Sequence, residues 1–463
     1  MPDIKRIAII GLDCGEPSLV FNRWLPDLPN LRRLCETGQY GNLLSCTPPI
    51  TVPAWSCMAA SKDPGQLGIY GFRNRADYSY EKLSIATSLA VREPRLWDIL
   101  SARGRENIIL GVPGTFPIAR PPKGLMVTGF LAPDTNSDYT YPKTLKDEIS
   151  RVVGDYIIDV KDFRTDNKQW LLDQINEMTD KRFKLARHLI TTRPWDLFWM
   201  VEMGVDRIHH GFWQFMDSTH HRYVPGGPFE SAIRDYYVRL DRLVGELLEV
   251  IDFETTAVWV VSDHGSKCMI GGFCFNDWLI REGYLALKEP PSKPTKFDIA
   301  NVDWSRTKAW GEGGYYGRCF LNVEGREPQG IIPRDQYEAV RDELICKLQA
   351  LRDHNGHVMG TQAFKPQDVY KKVNGVPPDL IVIFGNLNWR SVGRVGNDSL
   401  YTFENDTGPD DANHALEGMY ILSHPSLEGR GRCDDATLYD VAPTCLKMLG
   451  YPVPADMIGK PLV

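Results

Sequence analysis

Short apolar runs that close on a polar residue or a glycine recur along this chain and constrain its fold more than any other feature. They are "RIAIIGLD", "ENIILGVPG", "GLMVTGF", "DLFWMVEMGVD", "TAVWVVSDHG", "PDLIVIFG" and "GMYILS". Runs of about 4 to 8 residues with this β-branched content read as strands buried on both faces of a mostly parallel sheet. Helical patterns lie between them. In residues 229–250, Ile233, Tyr237, Leu240, Val244 and Leu247 repeat at spacings of 4, 3, 4 and 3, one face of a helix. "NLRRLCETG" and "DQYEAVRDELICKLQALRD" carry similar patterns. The alternation predicts an α/β fold, a mostly parallel central sheet sandwiched by helices.

Two segments break the rhythm. Residues 136–195 are polar and helical in pattern, and residues 289–370 open on "EPPSKPTKFD" and include "AWGEGGYYGRCF". Both read as inserted, cap-like segments over one sheet edge. They divide the α/β core into residues 1–135, 196–288 and 371–463.

Composition narrows the function. A net charge of −7 argues against binding a nucleic-acid polymer, which needs a basic footprint. No window approaches the roughly 18 unbroken apolar residues of a membrane span. The opening "MPDIKRIAIIGLDCGEP" meets Asp13 too soon for a signal peptide and reads as a first core strand. Ten cysteines without a C-x-x-C pair are expected to be reduced thiols of a cytoplasmic protein.

In open α/β sheets, function gathers at the carboxyl ends of strands. Asp13, Asp206 and Asp263 stand at such ends, and histidines accompany two of them. "DRIHHGFW" sets Asp206 and His210 four apart, on one face of a helix. "SDHG" sets Asp263 beside His264, and both reach one ion only where the backbone turns, which Gly265 would ease. "DANHALEG" adds His414 before the strand "MYILS". Mixed carboxylate and imidazole donors suit Zn²⁺, Mn²⁺ or Fe²⁺ better than Ca²⁺ or Mg²⁺. Three of each are about right for two ions, an arrangement suited to in-line displacement at phosphorus. "SCTPPITVPAWSC" follows the strand-like "GNLLS" at the same edge. Thr51 is the chosen nucleophile there, because a helix beginning near Pro53 would put its Oγ by a positive helix end. Ser45, Thr47 and Ser56 compete with it.

With these pieces in place, the chain resembles the alkaline phosphatase superfamily, in particular its type I phosphodiesterase/nucleotide pyrophosphatase branch. The resemblance rests on "IIGLDCGEP", "TPPITVPAWSCMAASKDPGQLGIYGF", "GVDRIHHGFW", "VVSDHGSK", "NHALEGMYILS" and "LYDVAPTCLKMLGYPVPADMIGKPL", in that order. It implies an alkaline-phosphatase-like fold and two divalent ions, Zn or Mn. Asp13, Thr51, Asp263 and His264 would hold one ion; Asp206, His210 and His414 would hold the other. It also implies a phospho-threonine intermediate on Thr51, later hydrolysed by water. Sulfatases of the superfamily carry a C-x-P-x-R motif, and here Cys46 is followed by Ile50 where Arg is required. His209 adjoins His210, and the four-residue spacing favours His210. Arg207 is a candidate phosphate contact, with a salt bridge as the alternative. Trp213, Tyr70 and Phe72 are candidates for stacking on a leaving group, or for packing beneath the site.

The expected function is a phosphodiesterase or nucleotide pyrophosphatase acting on a small-molecule phosphoester. A phosphomonoesterase or phosphomutase is the alternative within the fold, since the insertions could close as a cap. A metal-binding scaffold without turnover is the alternative of another class, weakened by the presence of the nucleophile and every implied ligand.

Overall fold

The computed structural model describes residues 4–427 and 429–463. Its main sheet is built on β1 (Arg6–Leu12), β2 (Gly38–Leu44), β3 (Asn107–Leu110), β4 (Gly124–Val127), β5 (Leu197–Glu202), β6 (Thr256–Val261) and β7 (Glu417–Ser423). These lie in the order β2-β7-β6-β1-β5-β3-β4, and short edge pairings complete a ten-stranded sheet among the described residues. β1 runs parallel to β5 and β6, and β3 runs parallel to β4 and β5. β7 is antiparallel to both β6 and β2, so β2 points the same way as β1. Six of these seven strands therefore present their carboxyl ends at one edge.

Every residue of β5 and β6 is buried, as expected for strands covered on both faces. The covering layers include α1 (Thr51–Ala60), α2 (Lys168–Thr192), α3 (Gly204–Met216) and α4 (Ala232–Leu248). The predicted stripe of α4, from Ile233 to Leu247, is buried along its length. α2 packs on α3 and α4, and Leu171, Ile175, Met178 and Leu189 share the core of the main sheet. Much of segment 136–195 thus belongs to a helical layer of the body. Gly11 lets α1 approach β1: a Cβ there would fall 2.6 Å from the Trp55 ring.

"PDLIVIFG" departs from the expected parallel sheet. Leu380–Ile383 lies in a separate four-stranded antiparallel sheet with Ala309–Glu312, Gly317–Leu321 and Gln362–Phe364. A short buried run has the same composition in either setting, and its partners here come from the 289–370 segment. This second lobe has its own core, drawn from residues between Phe273 and Trp389 and covered by helix Tyr337–Gln349. Ile50, Tyr70, Tyr316, Tyr370 and Ile381 pack together where the lobe meets the body. No helix among the described residues is long and apolar enough to cross a membrane.

Candidate active site

The carboxyl edge of the main sheet gathers seven buried side chains: Asp13, Thr51, Asp206, His210, Asp263, His264 and His414. Asp13 directly follows β1. Thr51 is the first residue of α1, reached from β2 through residues 45–50. β5 leads into α3, whose first turn carries Asp206, and one turn later His210 brings Nε2 to 3.2 Å from Asp206 Oδ1. β6 leads to Asp263 and His264. Beyond them Gly265–Cys268 pairs antiparallel with Ala412–Ala415, which brings in His414. Gly265 is needed for close approach: a Cβ there would lie 2.1 Å from the Glu417 carbonyl oxygen.

Ligand atoms of Asp13, Asp263 and His264 lie within 4.8 Å of one another, and so do those of Asp206, His264 and His414. His264 Nε2 is 3.2 Å from Asp263 Oδ2 and 3.4 Å from Thr51 Oγ1. His414 Nε2 is 3.9 Å from Asp206 Oδ1, and the His264 and His414 rings stack at 3.8 Å.

Each of the three carboxylates and three imidazoles is anchored by one atom, leaving another directed inward. Trp55 Nε1 donates to Asp13 Oδ2 at 2.6 Å, and the Cys14 amide donates to Asp263 Oδ1 at 3.2 Å. Arg207 Nη1 donates to Asp206 Oδ2. His264 Nδ1 faces the Gly265 carbonyl at 3.0 Å, and His414 Nδ1 faces the Pro49 carbonyl at 2.6 Å. A carbonyl accepts only, so Nδ1 carries the proton in both rings and Nε2 keeps its lone pair. His210 Nδ1 meets Asp410 Oδ1 at 2.6 Å, a carboxylate–imidazole pair of the kind that orients metal ligands. The inward atoms Asp13 Oδ1, Asp206 Oδ1, Asp263 Oδ2 and His210 Nε2 make no aligned hydrogen bond to any group outside the cluster, their polar neighbours at 3.2 Å being one another and His264 Nε2. Buried polar atoms are rarely left so, and four together describe a cradle for cations.

Electrostatics agree. Burial, then the Asp206 charge, pushes Asp13 well above the usual carboxylate range; burial, then Asp13, does the same to Asp263. Burial brings His264 down to about 4 and also drives His414 down, leaving those two imidazoles neutral. His210 goes the other way: against its burial, Tyr315, Asp410 and Asp206 hold it well above the usual imidazole range. Asp206 is offset by His210 and Arg207, and it is Asp13 and Asp263 that lack the positive charge a divalent ion would supply.

Other residues named from the sequence lie elsewhere. Arg207 forks onto Asp159, Nε to Oδ1 at 2.9 Å and Nη2 to Oδ2 at 2.7 Å, and also holds Asp206. Its guanidinium is therefore engaged by carboxylates. Trp213 donates to Asp217 at 2.9 Å and lines a separate cavity of about 540 Å³ with Glu16, Ser266 and Lys267. Tyr70 is buried at the lobe junction, its hydroxyl donating to the Asn374 carbonyl at 2.5 Å. Phe72 is half-buried, edge-on to Phe130 at 5.6 Å. His209 turns toward Tyr237, 3.3 Å from its hydroxyl, and burial brings it down to about 3. Ser45 donates to the Asp263 carbonyl at 2.6 Å.

Three contributors escaped the sequence reading: Trp55, Asp410 and Tyr315. Trp55 sits one helical turn beyond Thr51, so spacing was an available signal for it, whereas Asp410 reaches His210 from 200 residues away. Tyr315 comes from "GEGGYYG" in the second lobe and packs over His210 and His414, with ring centroids at 5.1 and 4.4 Å.

A mostly parallel sheet flanked by helices, with carboxylates, imidazoles and a helix-opening threonine at one edge, defines an alkaline-phosphatase-like protein. The chain belongs to the type I phosphodiesterase/nucleotide pyrophosphatase family, whose profile matches residues 7–410. Hydrolysis of phosphoesters is the chemistry of that family. Among solved structures, human ectonucleotide pyrophosphatase/phosphodiesterase 5 is similar over 97% of this chain and 96% of its own. The TM-score is 0.57 at 12% sequence identity, a likeness of fold. No curated protein matches the sequence.

Proposed function

We propose that the protein is a two-metal phosphodiesterase or nucleotide pyrophosphatase that acts on a small-molecule phosphoester through a covalent intermediate on Thr51. The observation that carries this reading is the set of inward-directed donors beside the Thr51 hydroxyl. Asp13, Thr51, Asp263 and His264 would hold one divalent ion and Asp206, His210 and His414 the other, with Zn²⁺ or Mn²⁺ matching the donors. Such ions, when bound, favour the alkoxide form of a coordinated hydroxyl and offset charge on phosphate oxygens.

The chain's own groups supply the rest. Thr51 opens α1, so the helix's amino end faces the phosphate and favours its charge. Thr51 Oγ1 attacks phosphorus and one ester oxygen leaves; water then cleaves the new threonine ester and restores the hydroxyl. Asp410 keeps the His210 proton on Nδ1 and its Nε2 available. A cytoplasmic location is part of the proposal, supported by ten unpaired cysteines.

Hydrolysis of bis-p-nitrophenyl phosphate and p-nitrophenyl phosphate tests the substrate class. A diester kcat/KM about tenfold or more above that of the monoester is expected, corresponding to roughly 1.4 kcal/mol of transition-state discrimination. Monoester preference would move the assignment to a phosphomonoesterase or mutase. Metal binding without turnover of either would favour a scaffold.

A further inference from the structure

The loop between Ala309–Glu312 and Gly317–Leu321 carries Tyr315 out of the second lobe and onto the metal-ligand cluster. Two contacts fix its path. Gly314 and Ser391 exchange both backbone hydrogen bonds at 2.9 Å, and Asn413 Nδ2 donates to the Tyr315 carbonyl at 3.1 Å, beside His414. Gly314 has a φ of +149°, a conformation side chains rarely adopt, and this lets the chain present Tyr315 toward the body.

The ring packs on His210 and His414, while the hydroxyl makes a more specific connection. It donates to Asp410 Oδ2 at 3.1 Å and accepts from Arg164 Nη2 at 2.7 Å. Arg164 Nε donates to the same Asp410 oxygen at 3.0 Å. Asp410 Oδ1, the other carboxylate oxygen, meets His210 Nδ1. An unbroken line therefore runs from the second lobe through Tyr315 and Asp410 to His210. A carboxylate held at both oxygens has one rotational setting, and a ring bonded to it inherits that setting.

We infer that Tyr315 is a positioning residue through which the second lobe sets the orientation of the His210 imidazole. The inference rests on the two-metal reading above and assigns the lobe a part in metal binding itself. The competing account is that Tyr315 only fills space between lobe and body. In that case its ring matters and its hydroxyl does not.

The test uses the full-length protein, stripped with a chelator and titrated with Zn²⁺ by calorimetry, with Co²⁺ absorption reporting the ligand field. Wild type is expected to bind two ions. Tyr315→Phe, which keeps the ring, should weaken one of them by about tenfold and leave the other unchanged. Arg164→Gln should weaken the same ion. In an Asp410→Asn background the effect of Tyr315→Phe should disappear, because the coupling runs through that carboxylate. Unchanged affinities in Tyr315→Phe, or an equal loss with Asp410→Asn already in place, would overturn the inference while leaving the two-metal reading intact. A wild-type protein that binds fewer than two ions would overturn both.

Discussion

Thr51→Ala is expected to lower kcat for a phosphodiester by about 10³-fold or more while the protein stays folded and retains bound metal. Removing a covalent nucleophile removes the reaction path itself, so the loss belongs at the severe end of single-residue effects. The fold should tolerate the change. Thr51 starts a helix in which alanine is well accommodated, and the lost hydroxyl makes its recorded contact with His264 rather than with a structural partner. Steady-state kinetics and metal analysis on the same preparation check this. Thr51→Ser, which keeps a hydroxyl at that position, should retain far more activity than Thr51→Ala. Full activity in Thr51→Ala would mean that another group attacks phosphorus.

Stripping the divalent ions should have an effect of similar size. Activity is expected to fall by about 10³-fold, and Zn²⁺ or Mn²⁺ should restore it better than Ca²⁺, whose preferred all-oxygen shell this site does not offer. Stability should fall too. Ions that bind only the folded state stabilise it by mass action, about 4 kcal/mol at a thousandfold excess over Kd. Without them Asp13 and Asp263 remain buried beside the Asp206 charge, and repulsion adds to their burial cost. Thermal melts with and without added Zn²⁺ measure this. Unchanged activity and melting temperature after complete removal would exclude a metal-dependent site.

Local pattern carried much of this architecture. β1, β5 and β6 were legible because strands buried on both faces are continuously apolar, and each leads to an acidic residue where the chain leaves the sheet. The four-residue spacing of Asp206 and His210 survives in three dimensions because α3 is regular there. Contacts between distant segments were harder to read. Asp410 meets His210 across 200 residues, and no local signal joins them. Leu380–Ile383 looks like any other core strand until its hairpin partners are known. Trp213 shares a helix with His210 but follows the His209 face, edge-on to that ring at 5.3 Å, and it lines the cavity beside Glu16 and Lys267. Gly265 was expected to ease a backbone turn beside His264, and the structure adds a second demand on it, close approach to the Glu417 carbonyl.

The stereochemical course at phosphorus tests the central claim most directly. A phosphorothioate diester of known configuration would be hydrolysed in isotopically labelled water and the configuration of the product determined. Each in-line displacement inverts phosphorus once, so attack by Thr51 followed by attack by water gives overall retention. Retention in wild type is the expected result. Inversion would mean that water attacks the substrate directly and that Thr51 forms no covalent bond to it.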